Sequence, residues 1–366
     1  MDKGGIERSM SRLSRGLINK GWDVSILTEK VSDESVSFFD NRVNFLRFKA
    51  GLFDQNSNII FTLLKNIILY FKIKRFIERS PPSVILGVKN IPLSIMLKIG
   101  SKANFRLIIR EAVDPKFSSL TQRSLFSRYI INSIKKTLYP KADKIIAISK
   151  GVKESLVNNF DLDSNMIEVI YNPAADESIL PLSKENINSN LITNNPLIIS
   201  IGRLTKQKDH MTLLKAFKLI YKKIDSKLYI IGEGPERFNL EKYINSNHLE
   251  DRVKLLGYQN NPWKFLAKSD LFVLPSIWEG FGNVIVEAMF LGVPVISSDC
   301  PSGPREILDG GKAGKLFKVG DHNELAIKID EMINCKDLSI LIQIANKKSE
   351  SFTINKITAQ YENLFI

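Results

Sequence analysis

The chain has few of the residues that build metal centres and disulfide frameworks. It carries two cysteines, Cys300 and Cys335, and three histidines, His210, His248 and His322, in 366 residues. Two cysteines make no disulfide scaffold and fit a reducing compartment. Both read as small core hydrophobes, and the histidines read as surface residues. No Asp-x-Asp element or His/Cys cluster is read as a metal holder, so neither metal nor cofactor is expected. No run of 18 apolar residues occurs, which argues against a membrane span. The start is charged rather than apolar, which argues against a signal peptide.

Acidic residues are also short. There are 39 against 52 Lys and Arg, a net charge of +13. Residues 1–180 hold 28 basic and 18 acidic side chains, a net of +10; the rest hold 24 and 21, a net of +3. A basic first half suits nucleic acid, an anionic membrane or an acidic acceptor. No nucleic-acid fold signature is present.

What is there is an α/β alternation on a scale of about two domains. Strands are expected at Asp23–Thr28, Val43–Phe48, Ser83–Gly87, Arg106–Arg110 and Lys144–Ile148. A second series is expected at Leu197–Ile201, Lys227–Ile231, Val253–Leu256, Leu271–Leu274, Val293–Ser297 and Lys315–Phe317. Helical patterns lie between them, as in doubly wound folds. The polar, Asn- and Ser-rich stretch Ala175–Pro196 reads as the linker. Ligands of such sheets bind at the carboxyl ends of the strands.

The densest chemistry lies at Glu279-Gly280-Phe281-Gly282-Asn283-Val284-Ile285-Val286-Glu287. It reads as strand, tight loop and helix start. Two glycines bring backbone N–H groups close to a ligand, and a helix N-terminus suits an anion. The two carboxylates accept hydrogen bonds from hydroxyls, so a sugar and a ribose are natural guests. Upstream, Gly202-Arg203-Leu204 and Lys206-Gln207-Lys208-Asp209 offer a planar fork and a point charge to phosphates.

This series resembles the donor site of bacterial glycosyltransferase family 4, retaining nucleotide-sugar enzymes of the two-domain GT-B fold. The resemblance covers about 195–330 and includes Gly232-Glu233-Gly234-Pro235 and Cys300-Pro301-Ser302-Gly303-Pro304-Arg305-Glu306. It implies two Rossmann-like domains facing a cleft: 1–180 for the acceptor, 190–345 for the donor, and a helix in 346–366 crossing back. It implies that Arg203 and Lys208 hold the donor diphosphate, that Glu279 holds sugar hydroxyls with Gly280, Phe281, Gly282 and Asn283 beside it, and that Glu287 binds the ribose. Gly232 and Gly234 belong to the loop near the base. Relatives bearing the Pro-Ser-Gly-Pro-Arg-Glu segment often build capsule or lipopolysaccharide on a polyprenyl diphosphate carrier.

The chain departs from that pattern twice. Gly4 and Gly5 resemble the first glycine loop, but the strand that usually precedes it is absent. Such a strand is central, so its loss opens two neighbouring strands; the expectation is that the start was set too late. Where relatives carry a histidine after the strand at Arg106–Arg110, this chain has Glu111. Glu111 reads either as a contact for acceptor or donor sugar or as the partner of Arg110 or another cation. Asn172-Pro173 reads as a cleft-facing turn or a plain linker turn.

The expected reaction is retaining transfer of a hexose or N-acetylhexosamine, with UDP as the expected nucleotide, to a lipid-linked or growing glycan acceptor in surface polysaccharide biosynthesis. The expected place is the cytoplasm, peripheral at the inner face of the plasma membrane. Two segments support that: Ile59–Ile77 and Leu125–Tyr139 mix helically spaced apolar residues with Lys and Arg, as interfacial helices do. A core helix with a solvated basic face fits each equally. The alternatives are a nucleotide-sugar 2-epimerase and a truncated, non-catalytic, membrane-associated relative.

Overall fold

In the computed structural model the chain divides into two units, Met1–Pro173 with Ile354–Ile366, and Ala174–Thr353. The structure describes residues 4–29, 36–48, 59–114, 116–117, 133, 135–188, 191 and 194–366, without the side chains of 59–65.

The first unit contains α1 (Gly5–Asn19), β1 (Ser25–Thr28), β2 (Asn44–Arg47), α2 (Ile59–Arg79), β3 (Val84–Gly87), α3 (Ile91–Gly100), β4 (Arg106–Glu111), β5 (Lys144–Ala147), α4 (Lys150–Phe160) and β6 (Ile167–Val169). Its strands form two parallel sheets, β1-β2 and β3-β4-β5-β6. Among the described residues β1 pairs with β2 and β3 with β4. β4 and β5 are almost wholly buried, whereas β1 alternates between exposed and half-buried. β6 has three residues, too short for a sequence pattern to mark it. The segment Leu125–Tyr139 lies mostly outside the described residues; Ile59–Ile77 falls within α2.

The second unit contains α5 (Ile179–Ser183), β7 (Leu197–Ile201), α6 (His210–Ile224), β8 (Lys227–Ile231), α7 (Arg237–Ser246), β9 (Val253–Leu255), α8 (Trp263–Leu266), β10 (Leu271–Leu274), α9 (Asn283–Phe290), β11 (Val295–Ser298), α10 (Pro304–Ile307), β12 (Lys315–Phe317), α11 (His322–Ile333) and α12 (Ser339–Ser349). One six-stranded parallel sheet runs β12-β11-β10-β7-β8-β9. Its apolar strands are covered on both faces, which is why β7 and β10 are buried at every position. The core joins Ile198, Leu228, Ile230, Leu271, Val273 and Ile296 to Leu213, Phe217, Leu325 and Ile329 of the flanking helices. Strand order reverses between β7 and β10, the switch point where open α/β sheets bind ligands.

The chain passes between units at Pro173–Ala174, and the polar stretch expected as a linker begins within the second unit. There Ile179 is buried and Asn261 Nδ2 donates to the Leu182 carbonyl at 2.8 Å. At the return crossing, Ala174 and Ala175 donate to the Phe352 carbonyl at 3.0 and 3.1 Å. The final helix, α13 (Ile354–Phe365), belongs to the first unit and packs on α1. Gly16 of α1 lies so close to Thr358 and Ile354 that a side chain there would collide with them.

Candidate active site

The second unit gathers Lys208 and Glu279 at its switch point. Glu279 lies in the loop after β10 and is 6% exposed. Its Oε1 accepts from Lys208 Nζ and from Ser276 Oγ, the latter at 2.6 Å. Two further bonds tie the loop to the turn after β7. Ile277 N–H donates to the Gln207 carbonyl at 2.8 Å, and Gln207 Nε2 donates to the Trp278 carbonyl at 3.0 Å. The Lys208 stem lies against Gly202, where a Cβ would stand 3.3 Å from its Cδ. A mostly buried ammonium is thus held by one carboxylate oxygen at the mouth of the sheet. Arg203, in contrast, is exposed and its side chain has no carboxylate partner among the described residues. Its fork is open to an anion.

Gly280, Phe281 and Gly282 are buried, and Gly282 at φ 110° is the N-cap of α9. No side chain caps this helix, and the Ile285 N–H donates to the Gly282 carbonyl at 2.9 Å. Phe281 is fixed edge-on to Phe352, with centroids 5.4 Å apart. A Cβ at Gly232 would overlap the carbonyl oxygen of Gly202, and one at Gly234 that of Leu204. These glycines let the loop after β8 interleave with the loop after β7, fastened by Leu204 N–H to the Glu233 carbonyl at 2.9 Å. The Glu233 side chain turns outward to Arg237.

Glu287 is 2% exposed, and its Oε2 accepts from Trp263 Nε1 at 2.9 Å. Sequence reading missed Trp263 and Ser276. Ser276 follows β10 directly and was within reach of the pattern; Trp263 lies on a four-residue helix 24 positions away and was not. Cys300 is buried, and its thiol is pushed up to about 12 by burial and the nearby Glu279 charge.

Two expectations are overturned here, and the first is Cys335, which is exposed rather than in the core. His210 is not a surface residue. It is 2% exposed at the first position of α6, because Asp209 takes a left-handed turn and caps the helix through Thr212. Burial, with the Lys208 charge, holds its imidazole at about 3, so it stays neutral. His248 is exposed.

In the first unit, Gly4 is the N-cap of α1 and Gly5 its first residue. Glu7 is buried in the first turn and accepts from Lys89 Nζ. Glu111, at the end of β4, is 8% exposed. Its Oε2 accepts from the Tyr139 hydroxyl at 2.7 Å and from Lys135 Nζ at 3.4 Å. Glu111 thus pairs with a cation, as one of its two readings had it, and that cation is Lys135 rather than Arg110. Arg110 donates instead to Tyr361 at 2.9 Å, Asn172 at 2.5 Å and Ser9 at 3.2 Å. That buries Asn172 and fastens the residue before the crossing, and α13, to β4.

Among the described residues no three His, Cys, Asp or Glu side chains group as metal ligands. Asp161-Leu162-Asp163 spells Asp-x-Asp, a match that sequence reading passed over. Its Asp161 pairs with Lys136 at 2.8 Å, and Asp163 caps the turn at Asn165.

Comparison with known proteins places the whole arrangement. Residues 183–349 match the family described as Glycosyl transferases group 1, and residues 3–177 match Glycosyltransferase Family 4. The chain belongs to the family 4 glycosyltransferases. It is 34% identical over 258 residues to N-acetylgalactosamine-N,N'-diacetylbacillosaminyl-diphospho-undecaprenol 4-alpha-N-acetylgalactosaminyltransferase of Campylobacter jejuni, covering 70% of this chain and 67% of the relative. It is 32% identical over 187 residues to the lipopolysaccharide 1,6-galactosyltransferase of Escherichia coli, 49% of each chain. Among solved structures it resembles Anabaena Alr3699/HepE in complex with UDP and glucose, with a TM-score of 0.80, 19% identity, and 99% and 96% of the two chains covered. The last likeness shows the GT-B fold. These relatives are transferases, which disfavours the epimerase reading. This family 4 enzyme is a hexosyltransferase.

Proposed function

We propose that this enzyme moves a hexose or N-acetylhexosamine from a UDP-sugar to a polyprenyl-diphosphate-linked or growing glycan acceptor, with anomeric retention, in surface polysaccharide assembly. The observation that carries the reading is the Lys208–Glu279–Ser276 cluster at the sheet's switch point, beside an uncapped helix N-terminus and the open Arg203 fork. The departing diphosphate gathers negative charge as the anomeric bond breaks. Arg203 and Lys208 are the stabilisers, and they act without a resident metal. Glu279, fixed by two donors, presents its other oxygen to sugar hydroxyls, flanked by Gly280, Phe281 and Asn283. Glu287, oriented by the Trp263 indole, takes the ribose; Gly232 and Gly234 shape the base loop.

For the acceptor the first unit supplies Glu111, whereas Gly4 and Gly5 are read as donor-binding. Two C. jejuni and E. coli relatives whose names specify a lipid-linked acceptor and lipopolysaccharide support this choice. So does the excess of positive charge in the first half. An anionic membrane surface is the matching environment. No described helix is long and apolar enough to cross a membrane, so association would be peripheral.

Ligand-observed NMR with UDP, GDP, ADP and UDP-sugars tests the donor half. Saturation transfer to UDP is expected, and Glu287→Ala should abolish it. Equal transfer to all three nucleotides, or no change in the mutant, would sink the donor assignment.

A further inference from the structure

Three serines stand where the apolar runs of β10 and β11 end. Ser276, Ser297 and Ser298 are each 0% exposed. A buried hydroxyl is costly unless it is bonded, so its partner is the informative fact. Ser297 Oγ bonds to the Leu274 carbonyl at 3.3 Å and to that of Ser298 at 3.2 Å. Its bonds end on backbone. Ser298 Oγ donates to the Ser276 carbonyl, and Ser276 Oγ donates to Glu279 Oε1 at 2.6 Å. This second chain ends on a carboxylate.

The sequence explains why a side chain is needed there. β10 and β11 pair as far as Leu274 and Ser297. Pro275 follows, and with no N–H it cannot extend the ladder. On the other strand the Asp299 N–H turns away to the Phe317 carbonyl of β12 at 2.7 Å. The Ser276 carbonyl is held instead by the Ser298 hydroxyl. Cys300 is buried within hydrogen-bond reach of the same hydroxyl, which closes that side of it to water.

We propose that Ser298 is a positioning residue for Glu279: acting through Ser276, it fixes which carboxylate oxygen faces the ligand. The terminal torsion of a glutamate is broad, so the side chain alone does not choose. Lys208 and Ser276 both bind Oε1, which leaves Oε2 for a sugar hydroxyl. Lys208 is a point charge on a flexible stem and can follow the oxygen. Ser276 cannot, because Ser298 anchors its backbone. The inference rests on the donor reading of Glu279 and extends it to a residue sealed from solvent.

Ser297→Ala is the internal control, since it removes an equally buried hydroxyl from the neighbouring position. Transfer from UDP-glucose, UDP-galactose and their N-acetylhexosamine counterparts is measured beside UDP affinity. Ser298→Ala should lower kcat about fivefold, the worth of one hydrogen bond, and leave UDP affinity unchanged. Ser297→Ala should leave both unchanged. In a Ser276→Ala background, Ser298→Ala should cost no further kcat, because its route to Glu279 is already cut. Equal kcat losses in the two serine variants, no loss in Ser298→Ala, or a matching loss of UDP affinity would overturn the proposal. Urea unfolding supplies a readout independent of activity. Losses from Ser298→Ala and Glu279→Gln should not add, whereas those from Ser297→Ala and Glu279→Gln should; additivity in both pairs would also overturn it. Coupling in unfolding without sugar transfer by wild type removes the proposed function and keeps the positioning role. Transfer with additive losses does the reverse.

Discussion

The two units arrange their parallel strands differently. The second has one six-stranded parallel sheet whose first strand, β7, lies in the middle and is buried throughout. The first has two sheets, and β1, beside the break, keeps Leu27 41% exposed. A parallel strand is stable when both edges pair and both faces are covered. The second unit therefore holds a fixed constellation on a rigid frame, as chemistry common to all nucleotide-sugar donors demands. The first unit places positive charge and exposed apolar side chains on its surface and buries Glu111 at the end of β4. The proposed function divides donor chemistry and acceptor recognition between them.

The sharpest way to break the comparison is Gly232→Val. Its Cβ would overlap the Gly202 carbonyl oxygen, a backbone atom that cannot move away cheaply. We expect a loss above about 3 kcal/mol and no nucleotide binding. Gly320→Ala, also at positive φ but with nothing within 4 Å, should cost only about 1 kcal/mol. Urea unfolding of both variants checks the contrast; equal losses would mean that strain, not the loop contact, dominates.

Next comes Lys208→Ala, which leaves Glu279 buried without its cation. Turnover should fall at least tenfold, about 1.4 kcal/mol of barrier. With Glu279→Gln the two losses should not add, because each breaks the same pair. Additive losses in kcat would separate the two residues. A smaller effect concerns acid. Folded His210 titrates at about 3, against an ordinary value of 6.5. Its folded value is depressed, so the unfolded chain takes up the extra proton below pH 6.5 and stability falls as pH drops toward 3. The slope from this group approaches about 1.4 kcal/mol per pH unit. His210→Gln should remove that part of the acid limb in denaturant midpoints measured against pH.

Legibility in the sequence followed the range of the interactions. β7, β8 and β10 were readable at their observed bounds, because a buried parallel strand is a continuous apolar run closed by turn residues. Lys208 and Glu279, 71 positions apart, were each marked by local motifs, so both could be named without knowing that they touch. Burial of His210 was not legible, since a capping aspartate in a left-handed turn sets it and the surrounding composition is charged. The partners of Glu111, Glu287 and Arg110 were equally hidden. Tyr139, Trp263 and Tyr361 reach them only through the folded chain, and aromatic hydroxyls and indoles leave no periodic signature.

The finest test of the division between the units is Tyr139→Phe. It deletes one hydroxyl, removing the 2.7 Å bond to Glu111 and leaving Lys135 as the carboxylate's partner. A single neutral donor to a carboxylate is worth about 1 to 2 kcal/mol, so the variant should fold with a modest loss. Burial, then the Glu111 charge, raises the Tyr139 hydroxyl far above the ordinary 10. A raised value means the unfolded chain releases this proton first. Stability from the group is complete below pH 10 and is lost as pH climbs above it. The phenylalanine variant lacks that loss, so the two stability curves should converge at high pH. If Glu111 serves the acceptor, its freed carboxylate changes KM for acceptor while nucleotide binding by the second unit stays as it was. A shift in nucleotide affinity instead would show that the two halves of the chemistry are not divided in this way.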